Sequence, residues 1–260
     1  MESVVIVKIG GNIVDDQQKL DQFLKDFAAI PSKKILVHGG GKIASKIGES
    51  LGIKPNMVDG RRVTDEETLR LVTMVYGGLI NKNIVAQLQP LDVNAIGLTG
   101  ADGNVIRSHK RIPKAVDYGY VADVDEVNGG LVAKMLEDMT PVFAPLTHDK
   151  KGRMLNTNAD TVASVLAVAL STYAKVRLMY CFELPGVMKN INDPNSVISS
   201  IDTAYYKQLK ADQVIADGMI PKMDNCFDAL HSGVSEVLIC NANMVTEALN
   251  RPDVGTSLIK

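Results

Sequence analysis

Several constellations are missing from this chain, and each omission closes a route. The four histidines, His38, His109, His148 and His231, show no HExxH or other metal-ligand spacing, so no protein-held metal is expected. The three cysteines, Cys181, Cys226 and Cys240, form no C-x-x-C pair. An odd, scattered set reads as buried thiols in a reducing compartment. The longest apolar stretch, 162–170, has nine residues and includes Ser164, where a membrane span needs about 20. Met1-Glu2-Ser3 offers no basic n-region, and Lys8 interrupts the apolar run that follows, so no signal peptide is expected. Neither sign of charge is in excess. Lys+Arg 28 against Asp+Glu 30 leaves a net −2, which argues against a general nucleic-acid binder but not against a local anion site. The P-loop pattern G-x-x-x-x-G-K-S/T does not occur. The expectation is a cytoplasmic globular protein with neither a membrane nor a nucleic acid as partner.

What is present is periodicity. With 260 residues, 46% hydrophobic and 22% charged, the chain suits one large domain or two intimate lobes. Residues 4–9 are β-branched and nearly all apolar, as buried parallel strands are, and end in Gly10-Gly11. Leu20, Phe23, Leu24 and Phe27 follow at helical spacing, then a second strand, 35–38, ends in Gly39-Gly40-Gly41. Thr64-x-x-Glu67 reads as a capping box opening a long helix over 65–89. Further strands are expected near 94–98, 104–106, 119–124, 141–145, 176–180 and 236–240, with helices near 129–138, 158–171, 202–211, 220–232 and 244–250. Alternation of this kind predicts an α/β fold: a mainly parallel central sheet covered on both faces, a three-layer α/β/α sandwich. A weak boundary near 172–175 divides the chain into 1–174 and 175–260.

The two glycine clusters carry the first chemical signal. Glycine lets backbone N–H groups approach a ligand closely, and a helix N-terminus behind such a loop adds a positive dipole end. Two such loops at the carboxyl ends of parallel strands can face one anion; each alone could be an ordinary tight turn. Gly39-x-Gly41-x-x-Ala44 with Asp59 twenty residues on also fits a loose dinucleotide fingerprint, which keeps a hydride-transfer enzyme open. Lys8 argues for phosphate chemistry instead, since a lysine in a buried strand must be paired or functional. Lys222 follows Pro221 in the first turn of a helix, where its charge opposes the helix dipole unless an anion binds there. Asn158 and Asp160 precede an apolar helix: one reading is a plain cap, the other pairs Asp160 with lysines. Arg62, in a loop before a helix, can bind a carboxylate bidentately or serve as a surface charge. Gly77-Gly78, inside the long helix, costs roughly 1 kcal/mol per glycine and suggests close helix-on-helix packing in a dimer.

Taken together, KIGGN at 8–12, HGGGK at 38–42, GRRVTDEETL at 60–69, NKNIVAQL at 81–88, GLTGADGN at 97–104, GYVADVDEVN at 119–128, NTNAD at 156–160, DGMIPK at 217–222 and GTSLI at 255–259 resemble the amino acid kinase family, and its acylglutamate branch in particular. The resemblance covers nearly the whole chain. It implies a two-lobed α/β/α sandwich, with 1–174 binding the acyl amino acid and making a homodimer and 175–260 binding ATP. The implied reaction moves the γ-phosphoryl of ATP, with Mg2+ carried on its phosphates, to the γ-carboxylate of an N-acyl-L-glutamate in arginine biosynthesis. By motif, Lys8 and Lys222 would neutralise charge on the moving phosphoryl, Gly11 and Gly40 would donate N–H bonds to it, and Asp160 would hold the two lysines. Gly39, Gly40, Arg62 and Asn156 would bind the acceptor; Glu183, Gly186, Gly218, Met219 and Lys222 would bind the nucleotide. No metal ligand is named. A carboxylate nucleophile is ionised at pH 7, so no general base is needed, and phosphoryl transfer asks mainly for positioning and charge stabilisation.

Two departures stand out. Phe182-Glu183 occupies the place where the family usually carries Thr/Ser-Asp, which removes a hydroxyl facing the nucleotide. That keeps a non-catalytic sensor of ATP or amino acids in view, beside sibling kinases with another acceptor. Arg61 replaces an apolar or aromatic residue, and a second cation beside Arg62 raises an N-succinyl acceptor as an alternative to N-acetyl. The chain begins only seven residues before Lys8, without the N-terminal helix of arginine-inhibited hexameric relatives, which suggests a plain homodimer.

Overall fold

The structure, a computed structural model, describes residues 2–58, 60–193, 195–215 and 219–260. Asp59, Asp217 and Gly218, singled out above, lie outside the described residues. In chain order the elements are β1 (Ser3–Ile9), α1 (Gly11–Val14), α2 (Gln17–Ala28), β2 (Lys33–His38), α3 (Gly41–Ser50), β3 (Met57–Val58), β4 (Arg61–Arg62), α4 (Glu66–Val72), a π-helical segment (Thr73–Ile80) and α5 (Asn81–Leu88). There follow β5 (Ala95–Leu98), β6 (Ile106–Lys110), β7 (Ala122–Val127), α6 (Gly129–Met135), β8 (Thr140–Phe143), β9 (Leu146–His148), β10 (Met154–Asn156) and α7 (Ala159–Leu170). The remainder is β11 (Lys175–Phe182), β12 (Ser200–Ile201), α8 (Thr203–Ala211), α9 (Met219–His231), β13 (Glu236–Asn241), α10 (Val245–Asn250) and β14 (Thr256–Leu258).

Eight strands form the main sheet in the order β12-β14-β13-β11-β1-β2-β8-β5, parallel throughout except where β14 runs against β13. Side chains on a strand alternate between faces, and β1 shows what that does here. Val4 and Ile6 join one core with α7 and α9; Val5, Val7 and Ile9 join the other with α2, α4 and α5. β11 divides in the same way, Val176, Leu178 and Tyr180 to the α7 side and Met179 and Cys181 to the opposite side. The expected three-layer sandwich is therefore observed. A smaller sheet, β10-β9-β6-β7, and the β3–β4 hairpin are the other sheets among the described residues. Strand β11 pairs with β1 from Ser3↔Lys175 to Ile9↔Cys181, so the sheet runs without interruption across the 174/175 boundary. Among the described residues no helix is long and apolar enough to cross a membrane.

Two local expectations are corrected. The cap of α4 is Asp65, whose carboxylate accepts from the Thr68 N–H at 2.7 Å. Thr64 is fully buried and uses its hydroxyl elsewhere, so the cap shifts by one residue. The expected continuous helix over 65–89 is interrupted by the π-helical turns, whose wider backbone adds residues per turn. A Cβ on Gly77 would lie 3.4 Å from Leu146 Cδ1, an ordinary van der Waals contact. Gly78 faces open space beside exposed Met74 and Leu79.

Close helix contact occurs at Gly129, where α6 begins. A Cβ on it would sit 2.6 Å from the Ala169 carbonyl oxygen of α7, and backbone cannot rotate away as a side chain can. Gly129→Ala is therefore expected to destabilise the fold by about 1–3 kcal/mol, measured as a lower urea midpoint with an unchanged slope.

Candidate active site

β1 lies at the topological switch point: the chain moves from β1 to β2 on one side, and β11 and β13 build outward on the other. Crevices at the carboxyl ends of such strands are where α/β sheets bind ligands. The alternation that sends Val4 and Ile6 toward α7 sends Lys8 there too. Its Nζ meets Asp160 Oδ1 at 2.7 Å, in the first turn of α7, with both side chains largely buried. The two readings of the NTNAD segment thus separate. Asn158 is the cap, its side chain accepting from the Asp160 N–H at 2.7 Å, and the carboxylate of Asp160 is left for Lys8.

Phe182, at the end of β11, lies on the same face as Tyr180 two residues before it, and their rings stack at 6.5 Å and 12°. The Lys8 Nζ stands 5.4 Å from the Phe182 ring centroid and the Lys222 Nζ, reaching in from α9, stands 4.6 Å from it. Two ammonium groups 214 positions apart in the sequence thus meet on one ring. Among the described residues Asp160 forms its ion pair with Lys8, while Lys222 has the ring as its contact. A cleft of about 410 Å³ opens beside them, lined among others by Lys8, Gly11, Glu183, Gly186, Met219 and Lys222.

The two glycine loops touch. A Cβ on Gly39 would lie 3.3 Å from the Gly11 nitrogen, and one on Gly40, whose φ is +155°, would strike Ile80 and the Tyr76 ring of the π-helical segment. His38 fixes the second loop. Its Nδ1–H donates to the Gly39 carbonyl at 2.8 Å, and its Nε2 accepts from Asn81 Nδ2 at 3.2 Å; the same amide also donates to the Val142 carbonyl at 2.9 Å. In a trans peptide the N–H points opposite to the C=O. Holding the Gly39 carbonyl toward His38 therefore turns the Gly40 N–H the other way.

Arg62 and Asn156 lie beyond these loops. Arg62 Nη2 donates to the Gly41 carbonyl at 2.9 Å and to Ser45 Oγ at 2.7 Å. Asn156 Nδ2 donates to Thr64 Oγ1 at 3.0 Å, and Thr64 Oγ1 donates to the Arg62 carbonyl at 3.2 Å. The buried threonine thus joins the two residues. Arg61 is exposed, and as Arg62's neighbour on a strand it projects to the other face. At the far end of the cleft, Glu183 accepts from Asn12 Nδ2 at 2.6 Å and Lys19 Nζ at 3.0 Å, bonds that hold its carboxyl below the usual range. Asn241 Nδ2 also donates to the Glu183 carbonyl at 2.7 Å.

Several contributors carry no sequence signal for the contacts they make. Asn12 and Asn81 sit inside segments read as motifs, but which atom each would meet depends on strands far away in the chain. His38 was noted for its lack of metal spacing, and its hydrogen bond to the next residue has no sequence signature. Lys19 reads as a solvated helix lysine. Phe182 reads as a lost hydroxyl, and its contact with both ammonium groups arises from three separate elements.

Burial lowers the His38 pKa from 6.5 to about 4. The unfolded chain takes up a proton below about pH 6.5 while the folded imidazole stays neutral, so stability falls as pH drops from 6.5 to 4. This single group accounts for roughly 3 kcal/mol across that window. His38→Gln is expected to remove that part of the acid limb, seen when urea unfolding at pH 7 and pH 4.5 is compared for the two proteins.

Known proteins resemble this chain along nearly its whole length. The family model described as "Amino acid kinase family" matches residues 3–241. The chain is 56% identical to the acetylglutamate kinase of Cytophaga hutchinsonii, covering 100% of this chain and 99% of that one. It is 55% identical to the acetylglutamate kinase of Bacteroides thetaiotaomicron, over 95% and 96% of the two chains. Among solved structures, smu.665 from Streptococcus mutans superposes with a TM-score of 0.79 at 29% identity, over 98% of each chain. With a matching family model over residues 3–241 and a switch-point cleft lined by two lysines and the first glycine loop, against which the second loop packs, this chain belongs to the amino acid kinase family.

Proposed function

We propose that the protein transfers the γ-phosphoryl group of ATP to the γ-carboxylate of N-acetyl-L-glutamate, a phosphotransferase step of arginine biosynthesis in a cytoplasmic, reducing compartment. The observation that carries this reading is the convergence of Lys8 and Lys222 at the cleft where the two glycine loops meet. Relatives more than half identical over nearly full length bear the corresponding name.

The chemistry asks little covalent work of the protein. A γ-carboxylate oxygen attacks the γ-phosphorus, the bond to the β-phosphate oxygen breaks, and ADP leaves as the acyl phosphate forms. Charge accumulates on the phosphoryl oxygens. Lys8 and Lys222 would neutralise that charge, and the N–H groups of Gly11 and Gly40 would donate to it as preorganised dipoles. Asp160 would hold Lys8 against recoil toward the nucleotide. The acceptor would lie with its α-carboxylate on Arg62 and Asn156, near Gly39 and Gly40. The nucleotide would occupy the cleft lined by Glu183, Gly186, Met219 and Lys222, with Gly218 of the same segment outside the described residues. Magnesium, carried on the phosphates, would supply further charge neutralisation when bound, and the two cations of the cleft, Lys8 and Lys222, suit a polyphosphate. In this reading 1–174 takes the acceptor and 175–260 the nucleotide. A homodimer would cover Gly78 and exposed Met74 and Leu79.

The test is hydroxylamine trapping of acyl phosphate from protein, MgATP and either N-acetyl- or N-succinyl-glutamate. Turnover is expected, with kcat lowered about 10²- to 10³-fold in Lys8→Ala and in Lys222→Ala, while both variants keep a folded circular dichroism spectrum. Because Arg61 projects away from the Arg62 face, the acetyl substrate is expected to give the higher kcat/KM. No turnover with either acceptor despite ATP binding would overturn the proposal.

A further inference from the structure

Lys8 and Lys222 carry like charges into the same small space, and the cleft must keep both there before any phosphate arrives. A carboxylate between them would do so strongly. It would also cancel the charge that the phosphoryl group needs and repel the phosphates themselves. Asp160 stands on the Lys8 side, where its carboxylate is engaged at 2.7 Å. What stands against both ammonium groups is the ring of Phe182, 5.4 Å from one Nζ and 4.6 Å from the other.

An aromatic face carries negative quadrupole density and attracts cations without bearing net charge. Such a surface orients an ammonium group and leaves its full positive charge available. The ring is itself held in place. It stacks on Tyr180 at 6.5 Å, and the Tyr180 hydroxyl donates to the Asp160 carbonyl at 3.2 Å. Tyr180 is also the registered neighbour of Lys8 across β1 and β11. Asp160 thus anchors Lys8 through its carboxylate and, through its carbonyl, the aromatic pair against which Lys8 and Lys222 rest.

We propose that Phe182 is a positioning residue for phosphoryl transfer, its ring holding Lys8 and Lys222 at the cleft in the free enzyme by cation–π attraction without neutralising either. The proposal rests on the phosphotransfer reading above and assigns a task to a cleft residue that the sequence reads as a lost hydroxyl.

The contact is tested apart from turnover by NMR of protein labelled at lysine 13Cε, the two signals being assigned with Lys8→Arg and Lys222→Arg. Ring current is expected to displace both signals from their ordinary position in the free protein, and Phe182→Leu should return them. Signals at ordinary positions would overturn the proposal. Its consequence is tested by incorporating phenylalanine with one, two and three ring fluorines at position 182, which weakens the quadrupole stepwise at nearly constant shape. The logarithm of kcat should fall in proportion to the fluorine count, reaching about five- to thirtyfold for the trifluoro ring and for Phe182→Leu. Phe182→Tyr should stay near the parent, and thermal midpoints across the fluorine series should coincide. A flat series would mean the ring only fills space, and the proposal would fall. If the parent protein shows the displaced lysine signals yet transfers no phosphoryl group to any acylglutamate, the functional reading fails while the ring's hold on the two lysines stands.

Discussion

A lysine placed near the end of a buried central strand must find a counter-charge, and the Lys8–Asp160 contact is the constraint around which the cleft is arranged. Withdrawing both groups from water costs several kcal/mol per ion, and their mutual attraction at best offsets that. Such a pair is poor value as a source of stability, so its presence at the switch point of the sheet is better explained by what it holds. It fixes the N-terminus of α7 against β1, presents an ammonium group at the carboxyl end of the strand, and places the Asp160 carbonyl where Tyr180 can reach it. From there the aromatic pair and Lys222 follow.

The opposite wall is built from backbone. Gly11 and Gly39 approach so closely that a side chain on Gly39 would press on the neighbouring nitrogen, and the π-helical segment seats Tyr76 and Ile80 directly over Gly40. The irregular helix therefore has a place in the site. Its wider turns bring Tyr76 and Ile80 against the loop, and Asn81, just after it, reaches His38. A neutral, wholly buried imidazole then sets the direction of a single peptide plane. Positioning on this side is done by hydrogen bonds and packing; on the other side it is done by charge and an aromatic face.

Much of the layout was legible in the amino acids. Near-continuous β-branched runs ending in glycine located β1 and β2, because strands buried on both faces tolerate little polarity and the loops beyond them need room. The oddity of Lys8 was visible for the same reason. Asn158 and Asp160 were seen as a pair with two candidate roles, and the register between β1 and α7 assigned one role to each. At Thr64 the local pattern misled: a threonine three residues before a glutamate favours a cap, but burial beside Asn156 and Arg62 claimed its hydroxyl first, and Asp65 took the cap instead. The Gly77-Gly78 pair suggests helix packing in a dimer, and in the folded chain Gly77 lies beside Leu146 while Gly78 faces open space.

The sequence by itself determined the alternation of strands and helices, the two glycine loops and the presence of a lysine that needed a partner, since these follow from local periodicity, backbone freedom and the cost of burying charge. Only the tertiary structure decided which atoms meet. That Lys8 faces α7 depends on strand alternation within a particular sheet order; that Lys222 arrives at the same ring depends on how α9 packs against α7 and β13. Contacts between residues more than two hundred positions apart are set by the shared packing of the whole sheet, and no window of sequence contains that information.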